Sequence, residues 1–450
     1  MKLALNGQSL MARVVRSTSW ILLGFGLGQV LRLASNLLLT RLLFPEAFGL
    51  MALVTVIIIG LSLFSDMGIS NAIAQNPRGD DPDFLDSAWT VQICRGGLLW
   101  LLTGLLAVPV AAFYNAPELA YCLPIAGFSL ALQGFTPTRV ETAYRHLLVG
   151  RVTAINLAAQ ICGILSMVTL AIWMQSVVAL AIGSVLQEAA KLALTHLALP
   201  GRRNRPRWEP AATHELIGMG KWIFLSTACF FLTTQGDRAI LGKHLTLEAM
   251  GIYNIAFFLA SFPMQMGQEV NQRLMIPVYR DKPALHSDQN RKKQRQLRYA
   301  LTAAILCMLW TMAWIGPWLV DLLYDDRYAM AGPVIVMLTT SLAPSIIVLT
   351  YDRASLAAGD TKRFFFYTAT RAFVQTALFL AGVTSFGLAG GIAAMGLAVV
   401  VSYPMLMRQT RPYRAQDPVH DLVFLSISSV ICGGALAYHW DGIGSTLGLL

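Results

Sequence analysis

Residues 20–71 read WILLGFGLGQVLRLASNLLLTRLLFPEAFGLMALVTVIIIGLSLFSDMGISN, and they decide the fold. An apolar run leads into the turn Arg41-Leu42-Leu43-Phe44-Pro45-Glu46-Ala47-Phe48-Gly49-Leu50, and a second apolar run leaves it. Each run holds about twenty residues, enough to cross a bilayer as a helix. Shifted by 202 positions without a gap, the same pattern returns. Trp20 falls on Trp222, Arg41 on Lys243, Glu46 on Glu248, Ala47 on Ala249, Gly49 on Gly251 and Leu50 on Ile252. Apolar composition inflates similarity between any two spans, but it does not reproduce the turn chemistry or the leading Trp. The pattern therefore indicates a duplication, and internal repeats of this kind are a mark of transporters.

Composition places the whole chain in a membrane. Of 450 residues, 56% are hydrophobic and 13% charged, against about 25% charged in a soluble protein; mean hydropathy is +0.57. Thirteen apolar spans are expected, at 17–40, 48–74, 88–113, 119–139, 152–174, 176–198, 219–242, 251–277, 299–322, 331–351, 364–384, 387–407 and 421–439. Arg13 and Arg16 precede a run too long for a signal-peptide core, so the first span is expected to stay in the membrane. The six cysteines all lie in apolar runs without CxxC spacing, which implies packed, reduced side chains and neither a disulfide nor a metal site.

The net charge of +10 is distributed as topology requires, which argues against nucleic acid as a partner. With the N-terminus inside, 27 of the 34 basic residues fall in inner loops or the adjoining helical turn, and only Arg41, Lys243 and Arg327 fall outside. Reversing the chain would invert this bias, so the N-terminus is expected in the cytoplasm. Residues 1–200 are expected to form one six-helix bundle, 201–218 a basic cytoplasmic linker and 219–410 a second six-helix bundle. Residues 411–450 would add one transmembrane helix and a tail. The two bundles start on the same side, which makes them parallel repeats with a central cleft. The longest extramembrane segments have about twenty residues, too few to fold alone, so no separate catalytic domain is expected.

Polar residues inside the spans are the first functional candidates, because burying them in lipid is costly. Span 1 carries Gln29, Arg32, Ser35 and Asn36 at helical spacing, and Gly24, Gly26 and Gly28, which permit close packing or bending. Span 8 carries Asn254, Ser261, Gln265, Gln268 and Gln272, a polar stripe that suits a cavity lining or helix-to-helix contact. Arg238 and Arg273 add positive charge as further substrate-contacting candidates. Asp66, Glu188 and Asp237 are the carboxylates proposed for ion coupling; Glu188 stands three residues from Lys191 and could equally form a neutral structural pair. Asp81-Pro82-Asp83 matches a metal-binding DxD motif in form only, with no domain to hold a nucleotide sugar. His214-Glu215 lacks the second His of a zincin. The basic run Arg291 to Arg298 reads as a solvated loop facing the anionic inner leaflet.

These residues carry a resemblance. Residues 37–49 resemble the "ARLLsPeeFG" turn of bacterial polysaccharide flippases of the Wzx type, and Asp66 to Gln75 resembles their "DlGlsqAliQ" segment. Asp237 to Gly242 with Gly251-Ile252-Tyr253 resembles their "DrliiG…lGlYs.A" pattern. The resemblance implies an all-α polytopic fold of two six-helix bundles, as in the MATE-like multidrug/oligosaccharidyl-lipid/polysaccharide exporters. It implies an undecaprenyl-pyrophosphate-linked oligosaccharide as cargo, moved from the inner to the outer leaflet of the bacterial inner membrane. This would serve exopolysaccharide, capsule or lipopolysaccharide O-antigen synthesis. Membrane lipids, a polysaccharide polymerase and a chain-length regulator are the implied partners. No cofactor is expected beyond a proton or sodium gradient, and no enzymatic step. Rival readings are a drug/cation antiporter or a peptidoglycan-precursor flippase on the same fold. From another class come a polytopic polymerase, ligase or acyltransferase. A polymerase or ligase would want a sizeable outer loop and an acyltransferase a deep His, and the sequence offers neither.

Overall fold

The structure, a computed structural model, describes residues 10–65, 69–76, 78–146, 148–281, 284–285, 287–351 and 353–449. Among them there are helices and no strands. The first compact unit is Met1–Ala228 and the second Cys229–Leu450, so the division falls inside a helix and not in the expected linker. In chain order the first unit holds α1 (Leu10–Leu42), α2 (Pro45–Phe64), α3 (Ile69–Gln75), α4 (Pro82–Tyr114), α5 (Leu119–Gly134), α6 (Arg139–Arg145), α7 (Val149–Met174) and α8 (Val178–Ala198). Helix α9 (Pro210–His244) runs across the division. The second unit continues with α10 (Leu247–Asp281), α11 (Asp288–Leu323), α12 (Ala331–Ile347), α13 (Arg353–Ala357), α14 (Thr361–Thr410), α15 (Pro418–Tyr438) and α16 (Trp440–Leu449).

Among the described residues ten helices are long and apolar enough to cross a bilayer, or eleven with the pair α5 and α6, bent by 64°. The thirteen expected spans fall on helices over most of their length, with 48–74 divided between α2 and α3 and 119–139 ending at the start of α6. Two of them, 364–384 and 387–407, share the segment Thr361–Tyr413, and span 219–242 lies in α9. The chain is a multi-pass membrane protein. Its exposed side chains fit lipid as solvent: Leu101, Leu105 and Val108 line one outward face of α4, and Trp173 and Trp318 stand exposed near helix ends. Three cysteines, Cys94, Cys162 and Cys307, also face outward, while Cys122, Cys229 and Cys432 are packed inside.

The duplication is visible in the helix ends. Leu42 and His244 close α1 and α9, Pro45 and Leu247 open α2 and α10, and each pair stands 202 positions apart. The shared turn chemistry has an electrostatic reason. Arg41 and Lys243 sit in the last turns of α1 and α9, where the helix dipole is negative, and Glu46 and Glu248 in the first turns of α2 and α10, where it is positive. Pro45 at the start of α2 has no N–H to waste and a preset φ.

Helix α14 is a hairpin of two spans. Phe386 (φ −135°) and Gly387 (φ 59°, ψ −149°) break the helix, and the arms fold back so closely that Gly382 and Gly390 meet backbone to backbone. The last helices are also part of the second unit and not an appendage: α15 packs on α11 and α12, and α16 on α12.

Several basic residues of the first unit cap helix C-termini, whose free carbonyls need donors. Arg95 donates to Ser62 O (2.7 Å) at the end of α2, and Arg145 to Ile73 O (2.7 Å) and Asn76 O (2.9 Å) at the end of α3. Arg139 donates to Leu199 O (2.7 Å) and His196 O (2.9 Å) at the end of α8. The basic bias of these loops is therefore partly architectural.

The segment after α8 is strapped to the start of α4. Asp86, 2% exposed, accepts from Arg202 Nη2 (2.9 Å), Asn204 Nδ2 (3.2 Å) and the Arg205 N–H (3.1 Å). The Arg207 and Glu209 N–H groups donate to Thr90 Oγ1 and Ser87 Oγ. The DxD-like motif belongs to the same strap: Asp81 caps α4 by accepting from the Asp83 N–H (3.1 Å), and Asp83 pairs with Arg207 (2.7 Å). The hydrogen bond from Arg78 holds the Asp81 carboxyl below its usual range. Asp86→Ala removes an acceptor shared by three donors, each bond worth ~1–3 kcal/mol. The expected result is cleavage by trypsin at Arg202 to Arg207 at least about tenfold faster than in wild type under native conditions, measured by limited proteolysis.

Candidate functional site

The polar row on α10 occupies a narrow arc, because its steps of seven, four, three and four residues nearly close whole helical turns. From Asn254 to Gln272 it runs ~27 Å at 1.5 Å per residue, close to the thickness of the hydrocarbon core. Accessibility changes along it. Ser261 is buried and accepts from Gln265 Nε2 (2.9 Å), Asn254 and Gln265 are half-buried, and Gln268 and Gln272 are exposed. Glu269 and Arg273 pair across one helical turn at 2.8 Å. One end of the row is thus committed to contacts within the protein, and the other presents amide groups outward.

At the committed end, α9 and α10 are joined by a polar clamp. Asp237, 5% exposed, accepts from the Tyr253 hydroxyl at 2.7 Å. Arg238 donates from Nε to Asn254 Oδ1 (3.3 Å), lies 4.3 Å over the Phe257 ring and keeps its Nη1 3.9 Å from Asp237. The guanidinium therefore has an aromatic floor and a flanking amide, an arrangement that favours a desolvated cation. Tyr253 enters the sequence reading only within the Gly251-Ile252-Tyr253 pattern and Phe257 not at all; their signal is the four-residue spacing that stacks both beside Asn254. Tyr253→Phe leaves Asp237 buried without its hydroxyl donor. A loss of about 1–3 kcal/mol is expected, measured as a lower thermal unfolding midpoint in detergent.

Helix α14 is tied to α9 by Gln375, which donates to Thr233 O (3.1 Å), and to α12 by Arg371, whose Nη2 reaches Ser345 Oγ (3.4 Å). Asn271, also not anticipated, is fully buried and donates to Leu349 O (2.8 Å) just beyond the end of α12.

In the first unit, Gly24 and Gly28 of α1 face α7: a Cβ at Gly24 would strike Thr153, and Gln160 donates to Gly28 O (2.9 Å). Gly26 faces open space. The polar residues of α1 share one helical arc of about 120° but not one environment. Gln29 and Ser35 are buried, Asn36 is half-buried and Arg32 is exposed. Among the described residues Arg32 has no hydrogen-bond or ion-pair partner. It lies on a membrane-spanning helix, ~15 Å from the Leu42 end. Glu188 and Lys191 lie 3.5 Å apart on α8 with Glu188 mostly covered. Asp66 lies outside the described residues.

The comparisons with known proteins agree with this architecture. Residues 38–333 match a family described as polysaccharide biosynthesis protein. The succinoglycan biosynthesis transport protein ExoT of Rhizobium meliloti (strain 1021) is 22% identical over 340 residues, 73% of this chain and 66% of that one. The lipopolysaccharide biosynthesis protein WzxC of Escherichia coli (strain K12) is 21% identical over 280 residues, 60% of this chain and 55% of that one. The chain thus spans between half and two thirds of these curated relatives' lengths. Among solved structures, the lipid II flippase MurJ in an inward closed conformation superposes with a TM-score of 0.66 at 10% identity, covering 93% of this chain and 98% of that one. An inward-facing multidrug resistance MATE family transporter of the MOP superfamily gives 0.64 at 13% identity, covering 91% and 95%. The fold is that of the MurJ and MATE transporters.

Proposed function

The chain belongs to the polysaccharide biosynthesis protein family, and we propose that it is a flippase for undecaprenyl-pyrophosphate-linked oligosaccharide repeat units in the bacterial inner membrane. It works by alternating access, without covalent chemistry, with its N-terminus in the cytoplasm. Arg32 carries the reading. An exposed arginine without a protein partner inside a membrane-spanning helix is costly unless a ligand compensates it, and its planar fork suits phosphate oxygens bidentately. Arg238, on its Phe257 floor, is a second phosphate-binding candidate. Gln268 and Gln272, with Gln265 about one turn away, offer amide donors and acceptors of the kind sugar hydroxyls pair with, while Asn254 stands at the far end of the row against Arg238.

Among the coupling candidates Glu188 pairs with Lys191 at 3.5 Å; a proton or sodium gradient would act there. A polysaccharide polymerase and a chain-length regulator would take over the product. A drug/cation antiporter on this fold would want a deep carboxylate in a mostly apolar or aromatic cavity, and this chain instead offers Arg32 and the Gln-rich α10. The test is complementation of a strain lacking its polysaccharide flippase. Wild type is expected to restore surface polymer, Arg32→Ala to leave it at background, and Gln265→Ala to reduce it, all at equal membrane abundance. Restored polymer in Arg32→Ala would contradict the cationic contact. Drug efflux without polymer in wild type would favour the antiporter.

A further inference from the structure

The second unit holds a cationic cavity of ≈ 540 Å³ that the transport reading does not use. It lies between the first three turns of α11 and residues 414–417, which lead into α15. Arg291, Lys292, Arg295, Arg298 and Arg414 line it, against the carboxylates of Asp288 and Asp417. The acids are already engaged: Asp417 pairs with Arg295 at 2.7 Å and Asp288 with Arg414 at 3.5 Å. Among the described residues Arg291 and Lys292 have no carboxylate partner. Arg298, 3% exposed, is held by neutral groups only, donating to Tyr279 Oη (2.8 Å) and Thr350 Oγ1 (3.1 Å). Arg291 and Lys292 therefore remain uncompensated around one cavity, and Arg298, whose nearest carboxylate is the buried Asp421, is fixed in place beside them.

The position of the cavity narrows the ligand. Arg298 is the last residue before the apolar stretch 299–322, and Arg291 is ~10 Å further out along the same helix. The cavity therefore sits at the depth of lipid head groups, at the end of the unit that carries the basic loops. Basic pockets at that depth take anionic head groups, each Lys or Arg adding to the attraction, and guanidinium groups pair bidentately with phosphate. Arg414 is held in a left-handed conformation (φ 50°) that places it across from α11.

We propose that this cavity is a binding site for the phosphate of an anionic phospholipid head group. The site does not rest on the transport reading, since lipid binding is measured on the purified chain. The experiment titrates full-length protein in neutral detergent with phosphatidylglycerol, with phosphatidylcholine and, at constant ionic strength, with inorganic pyrophosphate. Retained lipid is read by native mass spectrometry and stability by thermal midpoint. Phosphatidylglycerol is expected to bind and stabilise, and the exposed pair Arg291→Gln/Lys292→Gln to weaken it roughly thirtyfold. Lys293→Gln/Lys362→Gln removes equal charge from outside the cavity and should leave binding within about threefold of wild type. Failure of pyrophosphate to displace the lipid would support the head group as ligand. Displacement by micromolar pyrophosphate in wild type would overturn the lipid in favour of a soluble phosphate. Equal binding of phosphatidylcholine, or equal weakening by the two double variants, would overturn the site itself.

Discussion

Asp421→Leu is expected to unfold the second unit at physiological temperature. Its carboxylate, almost buried, accepts from the hydroxyls of Tyr351 (2.7 Å) and Tyr403 (2.6 Å) and pairs with His420 Nδ1 (2.8 Å). His420 Nε2 in turn lies 3.1 Å from Thr302 Oγ1, and Arg298 stacks 4.1 Å over the Tyr351 ring. The network joins α11, the segment just after α12, α14 and α15, and all its members but the half-buried Tyr403 are fully or nearly excluded from solvent. Leucine would fill the volume but strand two hydroxyls and an imidazole. It would also remove the negative charge nearest the buried Arg298. Breaking one member of such a charged network costs about 3–5 kcal/mol, a large share of a protein's usual margin of ~5–15 kcal/mol. Asp421→Asn keeps an acceptor oxygen and should lose only about half as much. The check is the thermal midpoint of the purified chain in detergent; an unchanged midpoint for Asp421→Leu would show that the network contributes nothing to folding.

Gly390→Val is expected to be comparably severe for a different reason. A Cβ at Gly390 would stand 2.2 Å from Gly382 O, and one at Gly382 2.4 Å from Gly390 O. Both obstacles are backbone, so no rotamer change relieves them, and the arms of the α14 hairpin must separate. Overpacking that side chains can absorb costs about 1–3 kcal/mol; here the loss should exceed that range. Gly387→Ala separates the two causes. Its Cβ would meet open space, yet φ 59° with ψ −149° is a conformation that essentially only glycine adopts. That variant should lose only the strain, about 1–3 kcal/mol. Thermal midpoints ranked wild type, Gly387→Ala, Gly390→Val would confirm the assignment, and the reverse order of the two variants would refute it.

What could be read from the sequence was local or periodic. The turn from Arg41 to Leu50 and its copy at Lys243 to Ile252 were legible because end charges and a proline act within one helical turn, and the helix ends fall at the predicted offset. The hairpin in α14 was legible as two apolar spans with Phe386-Gly387 between them. The strap on Asp86, the Asn271 bond to Leu349 and the Asp421 network were not, because their partners lie 70 to 120 residues apart in the chain and no periodicity connects them. The α10 stripe was visible as a row, but its division into a buried clamp and an open stretch depended on Tyr253 and Phe257. The spacing of the α1 polar residues did not separate buried Gln29 and Ser35 from exposed Arg32, which lies between them on the helical wheel.

Transport itself is most directly measured by reconstitution. Proteoliposomes containing the full chain would receive a fluorescent undecaprenyl-pyrophosphate oligosaccharide in both leaflets, and a membrane-impermeant quencher would report the outward-accessible fraction over time. Wild type is expected to bring the protected fraction into exchange within the assay, and Arg32→Ala to match protein-free liposomes while still inserting normally. Exchange by Arg32→Ala at the wild-type rate, or none by wild type, would contradict the account.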